Sequence, residues 1–328
     1  MSDLRERETL AAQMHARSWL FAPGDSERKM EKAAGGAADI VLLDLEDSVA
    51  ATDKAKARGQ VSAFVKSHAS PRAASLTDAG TSTLPPSEVS AGKSRTRERL
   101  WVRINSLAGP EGLADLAAVI PAQPGGILLP KVRGRADAEA LHHYLSALEA
   151  AAGLPLGGTK VMLLLGETPE SLFSMGNFTG LARLASVSWG AEDLATALGA
   201  SGSRRAEGRF EFTYELARSL CLLSASAAGV PAIETIQPDF RDSGALDRQA
   251  QDARRAGFSG MLAIHPDQVD VINGVFAPTA EELSAAQAIV GLFSAHPGAS
   301  VVSNNGVMLD RLHLIRAQAI LARSPTRR

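Results

Sequence analysis

Short runs of apolar residues recur along the whole chain, and more polar stretches separate them. Most runs are too short to form a buried helix, and they are rich in Val, Ile and Leu, which favours β-strands. The eight runs cover residues 17–22, 39–46, 100–105, 126–131, 160–167, 185–190, 230–236 and 260–266.

Helical patterns lie between these runs. They cover residues 26–38, 52–65, 134–152, 168–183, 209–228 and 241–256. Strands that are apolar on both faces and alternate with helices are typical of a parallel sheet. Eight such units predict an α/β fold, the (β/α)8 or TIM barrel.

Two segments fall outside the repeat. Residues 68–98 are rich in Ser, Ala, Thr, Pro and Gly and have almost no large apolar residues, which predicts a flexible insertion without chemistry. Residues 276–295 and 306–322 have two further helical patterns, and they predict a C-terminal lid or interface arm. The expected organisation is a barrel over 1–275 and a helical lid over 276–328.

Composition and charge exclude several classes of protein. The 328 residues are 45% hydrophobic and carry 34 basic against 36 acidic side chains, so no basic face for nucleic acid or an anionic membrane is indicated. No apolar run approaches the roughly 20 residues of a membrane helix. The single cysteine, Cys221, lies in an apolar helical pattern, which favours a buried structural thiol. A cytoplasmic protein is expected.

Polar residues gather where the predicted strands end. In a TIM barrel these ends form the catalytic face. Glu167 and Asp193 follow consecutive strands, and two carboxylates placed in this way suit Mg²⁺, which prefers few protein ligands. The alternative is that both acids only stabilise the first turns of the following helices. The polar residues at the strand ends are Asp25, Asp44, Glu46, Asp47, Arg103, Asn105, Lys131, Glu167, Glu192, Asp193, Glu234 and His265.

Three further side chains have alternative interpretations. Arg103 could hold a substrate carboxylate or pair with an acid of the barrel mouth. Lys131 could form a Schiff base with a carbonyl substrate, but nearby acids favour an ion-paired ammonium. His265 could be a general base or could fix the turn before Pro266. No phosphate-binding glycine loop and no zinc motif is present.

Taken in order, several motifs resemble the citrate lyase beta-chain family, which includes malyl-CoA and citramalyl-CoA lyases. The resemblance covers nearly the whole chain except residues 68–98. Its motifs are "RSWLFAPGDSERKMEKAAGGAADIVLLDLEDSV", "DKAKAR", "VRIN", "LLPKV", "GETPESL", "WGAEDL", "GFSGMLAIHPDQVDVINGVFAPTAEE" and "GVMLD".

The resemblance implies a Mg²⁺-dependent barrel that cleaves or forms a carbon–carbon bond beta to a coenzyme A thioester carbonyl. The implied substrate is a 3-hydroxyacyl-CoA such as citryl-, malyl- or citramalyl-CoA, which gives acetyl-CoA and a 2-oxo acid. By motif, Glu167 and Asp193 match the Mg²⁺ ligands. Arg103 matches the arginine that holds the substrate carboxylate, and Glu46 and Asp47 match acids beside the metal and its waters.

The resemblance also assigns the coenzyme A contacts and the lid. Arg28 and Lys32 match positions near the coenzyme A phosphates. Asp310 matches an acid that a neighbouring subunit supplies from its lid, so a homotrimer or hexamer and a proton-transfer role for Asp310 are implied. The alternatives are a thioesterase or aldolase on a related oxo acid, a citrate lyase subunit that needs an acyl carrier protein, and a non-catalytic acyl-CoA-binding paralogue.

Overall fold

Eight parallel strands form a barrel in the computed structural model, which describes residues 16–68, 97–304 and 306–323. The strands pair in the order β6-β5-β4-β3-β2-β1-β8-β7. A parallel bridge between Val187 and Ala232 joins β6 to the residue before β7 and closes the ring. The predicted strands and the (β/α)8 fold are confirmed. The strands are β1 (Ser18–Pro23), β2 (Ile40–Asp44), β3 (Leu100–Arg103), β4 (Gly126–Leu129), β5 (Lys160–Leu165), β6 (Leu184–Trp189), β7 (Ile233–Glu234) and β8 (Gly260–Ala263).

At least one helix follows each strand of the barrel. In the described ranges, no helix is both long enough and apolar enough to cross a membrane. The helices are α1 (Glu27–Ala34), α2 (Lys54–Ser67), α3 (Pro110–Val119), α4 (Arg135–Ala151), α5 (Pro169–Leu172), α6 (Ala191–Ala197), α7 (Phe212–Ala228), α8 (Ser243–Ala256), α9 (Val269–Phe276), α10 (Ala280–Ala295) and α11 (Arg311–Ala322), with short 3₁₀ turns at Ala51–Asp53, Ile120–Ala122 and Pro266–Gln268.

The predicted helix over 168–183 is wrong beyond Leu172, where α5 ends. The following loop contains Gly176 and Gly180, and Gly180 has a left-handed φ of +78° that a helix cannot contain. Met175 and Phe178 of this loop are buried and pack in the core. Tertiary packing, and not a continued helix, therefore holds this segment in place. The sequence pattern also missed α3, α6 and α9.

Side chains of the strands alternate between the barrel interior and the layer beneath the helices. Leu42, for example, packs in the interior cluster with Trp19 and Trp101, whereas the adjacent Val41 packs under the helices. The two indole rings meet edge to face with centroids 5.1 Å apart. Because both faces are buried, the strands have the continuous apolar sequence from which they were predicted. Cys221 on α7 is fully buried, as predicted.

A second small core holds the C-terminal segment together. The strands β9 (Val301–Asn304) and β10 (Val307–Asp310) form an antiparallel pair. The sequence pattern had predicted a helix that begins at residue 306, so its first part is wrong. Phe293, Val302 and Leu309 form their own buried cluster. We call residues 280–323 the arm, and its function as a lid stays a prediction. Most of the predicted insertion, residues 69–96, lies outside the described residues.

A buried ion pair fastens α4 to the start of β6. Glu149 and Arg183 are almost completely buried, and both carboxylate oxygens accept hydrogen bonds from the guanidinium at 2.7 Å. The amides of Gly157 and Thr159 also donate to Glu149, each at 2.8 Å. Burial alone would raise the pKa of Glu149, but the hydrogen bonds from Arg183 and from these amides lower it to about 2.

Glu149→Gln is expected to lower the free energy of unfolding at pH 7 by about 3 kcal/mol, because it leaves the buried Arg183 without its counter-charge. The pKa of Glu149 is lower in the folded chain than its unfolded value of about 4.3. Its contribution is therefore complete above about pH 4.3 and is lost as the pH falls towards 2. Urea unfolding at several pH values measures both effects.

The matched control is Glu139→Gln on the same helix. Glu139 pairs with Arg135 at 2.6 Å, and its side chain is about half exposed. An exposed pair of this kind contributes less than about 0.5 kcal/mol. Equal destabilisation by the two variants would contradict the role assigned to the buried pair.

Candidate active site

Asp44 and Arg103 form a buried ion pair at the carboxyl ends of two neighbouring strands. They are register partners at the ends of β2 and β3. The Nε and Nη2 atoms of Arg103 each donate to one oxygen of Asp44 at 2.7 Å, and the amide of Glu46 donates to the same carboxylate at 2.9 Å. Burial would raise the pKa of Asp44, but the guanidinium and these hydrogen bonds hold it below its usual value. This pair explains how an acid can end the most buried strand.

Lys131 places a second cation among the acids of the mouth. Its Nζ atom lies 2.7 Å from Glu46 Oε1, 3.4 Å from Asp47 Oδ1 and 3.6 Å from Asp193 Oδ1. Burial lowers its pKa, but the hydrogen bond to Glu46 and the surrounding carboxylates outweigh burial and raise it. A permanently protonated ammonium is not a nucleophile, so the geometry favours the ion-paired interpretation of this lysine over a Schiff base.

Glu46 lies between the two cations. One oxygen accepts from Lys131, and the other lies 3.0 Å from Nη1 of Arg103. The same guanidinium nitrogen lies 3.4 Å from Asp47 Oδ2. Burial raises the pKa of Glu46 to about 7, although Arg103 and Lys131 oppose this shift. Glu46 can therefore exchange a proton near neutral pH.

Glu167 follows β5 and is only 2% exposed. The backbone amide of Lys131 donates to its Oε2 atom, whereas its buried Oε1 atom has no hydrogen-bond partner among the described residues. Burial raises the pKa of Glu167 well above its usual value, and the negative charges of Glu46 and Asp193 raise it further. An uncompensated buried carboxylate of this kind calls for a cation.

Asp193 is the third residue of α6, and its side chain is about one-third exposed. Its closest described partner is the ammonium of Lys131, which lies between Asp193 and Glu46. Within the described ranges, no three His, Cys, Asp or Glu side chains converge to form a complete metal site. A cation at Glu167 and Asp193 would therefore take its remaining ligands from water or substrate.

The structure does not bring every predicted site residue to this cluster. Arg28 and Lys32 are exposed on α1, one helical turn apart, and neither forms an ion pair with another described residue. Asp310 caps α11 in the arm, where it accepts from the amide of Leu312 and lies 2.7 Å from Nδ1 of His313. These bonds to His313 and the amides lower the pKa of Asp310.

Two other polar residues that follow strands have local structural roles. His265 accepts a hydrogen bond from the amide of Asp267 at 3.3 Å and stacks on Phe240, which supports the turn interpretation. Glu234 is fully buried and accepts from the indole of Trp189 at 2.8 Å and from Arg218 at 2.5 Å. Both side chains fasten neighbouring elements to the barrel.

Sequence reasoning favoured an ion-paired Lys131 without naming its partners, and it gave no role to Asp44. The structure places Lys131 within reach of Glu46, Asp47 and Asp193 at once. A lysine in "LLPKV" at the end of a buried strand, facing acids from other strand ends, was the available signal. Asp44 was visible as an interruption of an apolar run, but its partner could be identified only from the register of β2 and β3.

Comparison with known proteins identifies the family. The model of the HpcH/HpaI aldolase/citrate lyase family matches residues 17–77 and 91–266. A protein of Cereibacter sphaeroides strain KD131 named (3S)-malyl-CoA thioesterase is 32% identical over 318 residues, 96% of this chain and 97% of that protein. The mitochondrial citramalyl-CoA lyase of Rattus norvegicus is 30% identical over 317 residues, 93% of this chain and 85% of that protein.

A solved structure has the same fold and was determined with ligands. The crystal structure of CitE from Mycobacterium tuberculosis in complex with magnesium, acetoacetate and coenzyme A superposes with a TM-score of 0.68 at 28% identity, covering 94% of this chain and 98% of that one. The family model spans most of the barrel, and the sequence relatives extend over nearly the whole chain. The chain therefore belongs to the HpcH/HpaI aldolase/citrate lyase family.

Proposed function

We propose that this protein is a Mg²⁺-dependent carbon–carbon lyase. It cleaves, or in reverse forms, a 3-hydroxyacyl-CoA such as citryl-, malyl- or citramalyl-CoA, giving acetyl-CoA and a 2-oxo acid. The observation that carries the proposal is Glu167 at the barrel mouth, a buried carboxylate near Asp193 with one oxygen that has no hydrogen-bond partner among the described residues. The printed names of the relatives and the magnesium, acetoacetate and coenzyme A bound to CitE support it.

Glu167 and Asp193 fit a magnesium ion on chemical grounds. Both side chains are carboxylates, and Mg²⁺ is commonly coordinated by one or two carboxylates together with waters and substrate oxygens. Burial raises the pKa of Glu167, and the negative charges of Glu46 and Asp193 raise it further, a cost that a divalent cation would reduce. Bound there, Mg²⁺ would hold and polarise the oxygens of the 2-oxo or 2-hydroxy acid.

Arg103 is the proposed carboxylate holder. Two of its nitrogens are committed to Asp44, which fixes the plane of the guanidinium. The third, Nη1, contacts Glu46 and Asp47 at 3.0 and 3.4 Å. A substrate carboxylate would replace those longer contacts without breaking the buried pair, so the arginine is oriented before substrate binds.

Cleavage of the carbon–carbon bond needs one proton to leave the substrate hydroxyl and another to reach the α-carbon of the thioester. We assign Asp47, whose side chain is 52% exposed, to accept the hydroxyl proton as the bond to the thioester α-carbon breaks. The electron pair of that bond stays on the α-carbon as the enolate of the thioester. Asp310 then supplies the proton that completes acetyl-CoA, and in the synthetic direction it removes that proton. Glu46 accepts the hydrogen bond of Lys131, and it would also bind waters beside the metal.

The remaining assignments concern binding and assembly. Arg28 and Lys32 offer two exposed cations, one helical turn apart on α1, for the phosphates of coenzyme A. Because the described contacts of Asp310 lie in its own arm, we propose that the arm closes over a neighbouring subunit in a homotrimer or hexamer. The proposed location is the cytoplasm.

One alternative has a specific observation in its favour. The relative with 32% identity is named a malyl-CoA thioesterase, so this site could direct water to the thioester instead of breaking the carbon–carbon bond.

The purified protein should be assayed with citryl-, malyl- and citramalyl-CoA. Acetyl-CoA with a 2-oxo acid supports the lyase, and free coenzyme A with the hydroxy acid supports the thioesterase. Activity only with an acyl carrier protein indicates a citrate lyase subunit, and none with any substrate indicates a non-catalytic paralogue.

Glu167→Gln and Asp193→Asn are each expected to weaken Mg²⁺ binding at least about tenfold, because each removes an anionic oxygen ligand. Isothermal titration with MgCl₂ measures this affinity. Glu170→Gln is the control, since Glu170 is exposed on α5 three residues from Glu167 and outside the cluster. Wild-type affinity in both site variants would remove the metal from this position.

Asp310→Asn is expected to abolish turnover while leaving Mg²⁺ binding unchanged, since Asn retains the helix cap but cannot transfer the proton. If a neighbouring subunit supplies Asp310, mixing subunits that carry Asp310→Asn with subunits that carry Glu167→Gln should restore activity in part. Random mixing predicts about a quarter of the wild-type sites. The assay follows acetyl-CoA release after co-refolding or subunit exchange.

Two outcomes would contradict this assignment. Full activity of Asp310→Asn alone removes Asp310 from the mechanism. Loss of activity by Asp310→Asn without recovery in the mixed oligomers places the acid in the same chain as its site.

A further inference from the structure

Gly190 lies where the chain passes from β6 into α6, and its missing side chain leaves the space that Glu167 occupies. A Cβ atom at Gly190 would lie 2.6 Å from Cγ of Glu167, and 3.3 Å from its Cδ and Oε1. The first distance is far inside van der Waals contact, and Glu167 is too buried to move away freely. Any side chain at Gly190 would therefore displace the Glu167 carboxylate.

The close approach follows from strand pairing. β5 and β6 pair as far as Leu165 and Trp189, and the amide of Gly190 donates to the carbonyl of Leu165 at 3.1 Å. The backbone of Gly190 thus runs directly past Glu167, which follows Leu165 and Gly166 in the chain. Gly190 itself has φ −116° and ψ 106°, which any L-residue can adopt. The glycine is needed for space and not for backbone conformation.

A second backbone feature holds Glu167 from another side. Lys131 has a left-handed φ of +54°, rare for a residue with a side chain, and its amide donates to Oε2 of Glu167. One carboxylate oxygen is thereby fixed, and the carbon chain lies against Gly190. The other oxygen, Oε1, stays buried without a partner among the described residues.

Gly190 also begins the helix that carries the second proposed ligand. It is the N-cap residue of α6, and Asp193 lies in the first turn of that helix. One position thus determines how closely α6 approaches Glu167. We propose that Gly190 is a positioning residue of the metal site, which sets the orientation of Glu167 relative to Asp193. This inference rests on the proposed function above.

Gly190→Ala tests the proposal, with the affinity for Mg²⁺ alone as the readout. Isothermal titration should show an affinity reduced about tenfold or more, as is typical when the support of a metal ligand is disturbed. Gly109→Ala is the matched control. Gly109 is likewise the N-cap glycine of a barrel helix, α3, with φ −125°, and its added Cβ would meet nothing within 4 Å. Gly109→Ala should leave Mg²⁺ affinity unchanged.

A thermal-unfolding cycle without metal tests the contact independently of binding. Gly190→Ala should lower the melting temperature in the wild-type background but cost nothing further in Glu167→Ala, because that variant lacks the Cγ atom with which the new Cβ collides. If Gly190→Ala alone fails to fold, normal folding of the double variant supports the contact. Equal losses in both backgrounds would overturn the proposal.

The metal titrations separate failure of this proposal from failure of the proposed function. Absence of Mg²⁺ binding by the wild-type protein would overturn the metal assignment itself. Normal binding by the wild-type protein and undiminished binding by Gly190→Ala would overturn only the role of Gly190.

Discussion

The charge balance at the barrel mouth is the constraint on which the site depends. Five carboxylates face two cations there, and several of the seven groups are buried. Burial is the main reason why the pKa values of Glu46 and Glu167 are raised, and neighbouring carboxylates raise them further. A divalent cation would offset most of this excess negative charge, which is the physical basis of the proposed metal site. The seven groups are Asp44, Glu46, Asp47, Arg103, Lys131, Glu167 and Asp193.

The barrel makes this arrangement possible because parallel strands deliver residues that are distant in sequence to one face. β2 through β5 each contribute a charged group at or just after their carboxyl ends, and α6 adds Asp193. The groups then restrain one another: Asp44 orients Arg103, and the amide of Lys131 orients Glu167. Side chains held on rigid strand ends keep a precise geometry without loop motion.

The fold alone does not decide which bond is broken. Relatives at similar identity are named as a thioesterase and as a lyase, so members of one family are named for more than one reaction. The outcome depends on whether water attacks the thioester carbonyl or a base removes the proton of the substrate hydroxyl. The proposed closure of the arm, which has its own small core and carries Asp310, would control the access of water to the bound substrate.

The strands that form the barrel were predictable from the sequence, because strands that are buried on both faces consist of continuous apolar residues. The polar residues at their ends included Arg103, Glu46, Asp47, Glu167 and Asp193 among twelve candidates. The resemblance by motif supplied the arm acid Asp310 and the α1 cations, whose position relative to the mouth no local pattern encodes.

By itself, the sequence determined the order of the barrel strands and the polar residue types at their ends, since both can be read from local sequence patterns. Only the tertiary structure decided the contacts between them. Lys131 reaches Glu46 across 85 positions, Gly190 makes room for Glu167, and the hairpin of β9 and β10 replaces the first part of a predicted helix. Each of these features depends on which distant segments pack against each other. Such packing produces no periodic pattern in the sequence.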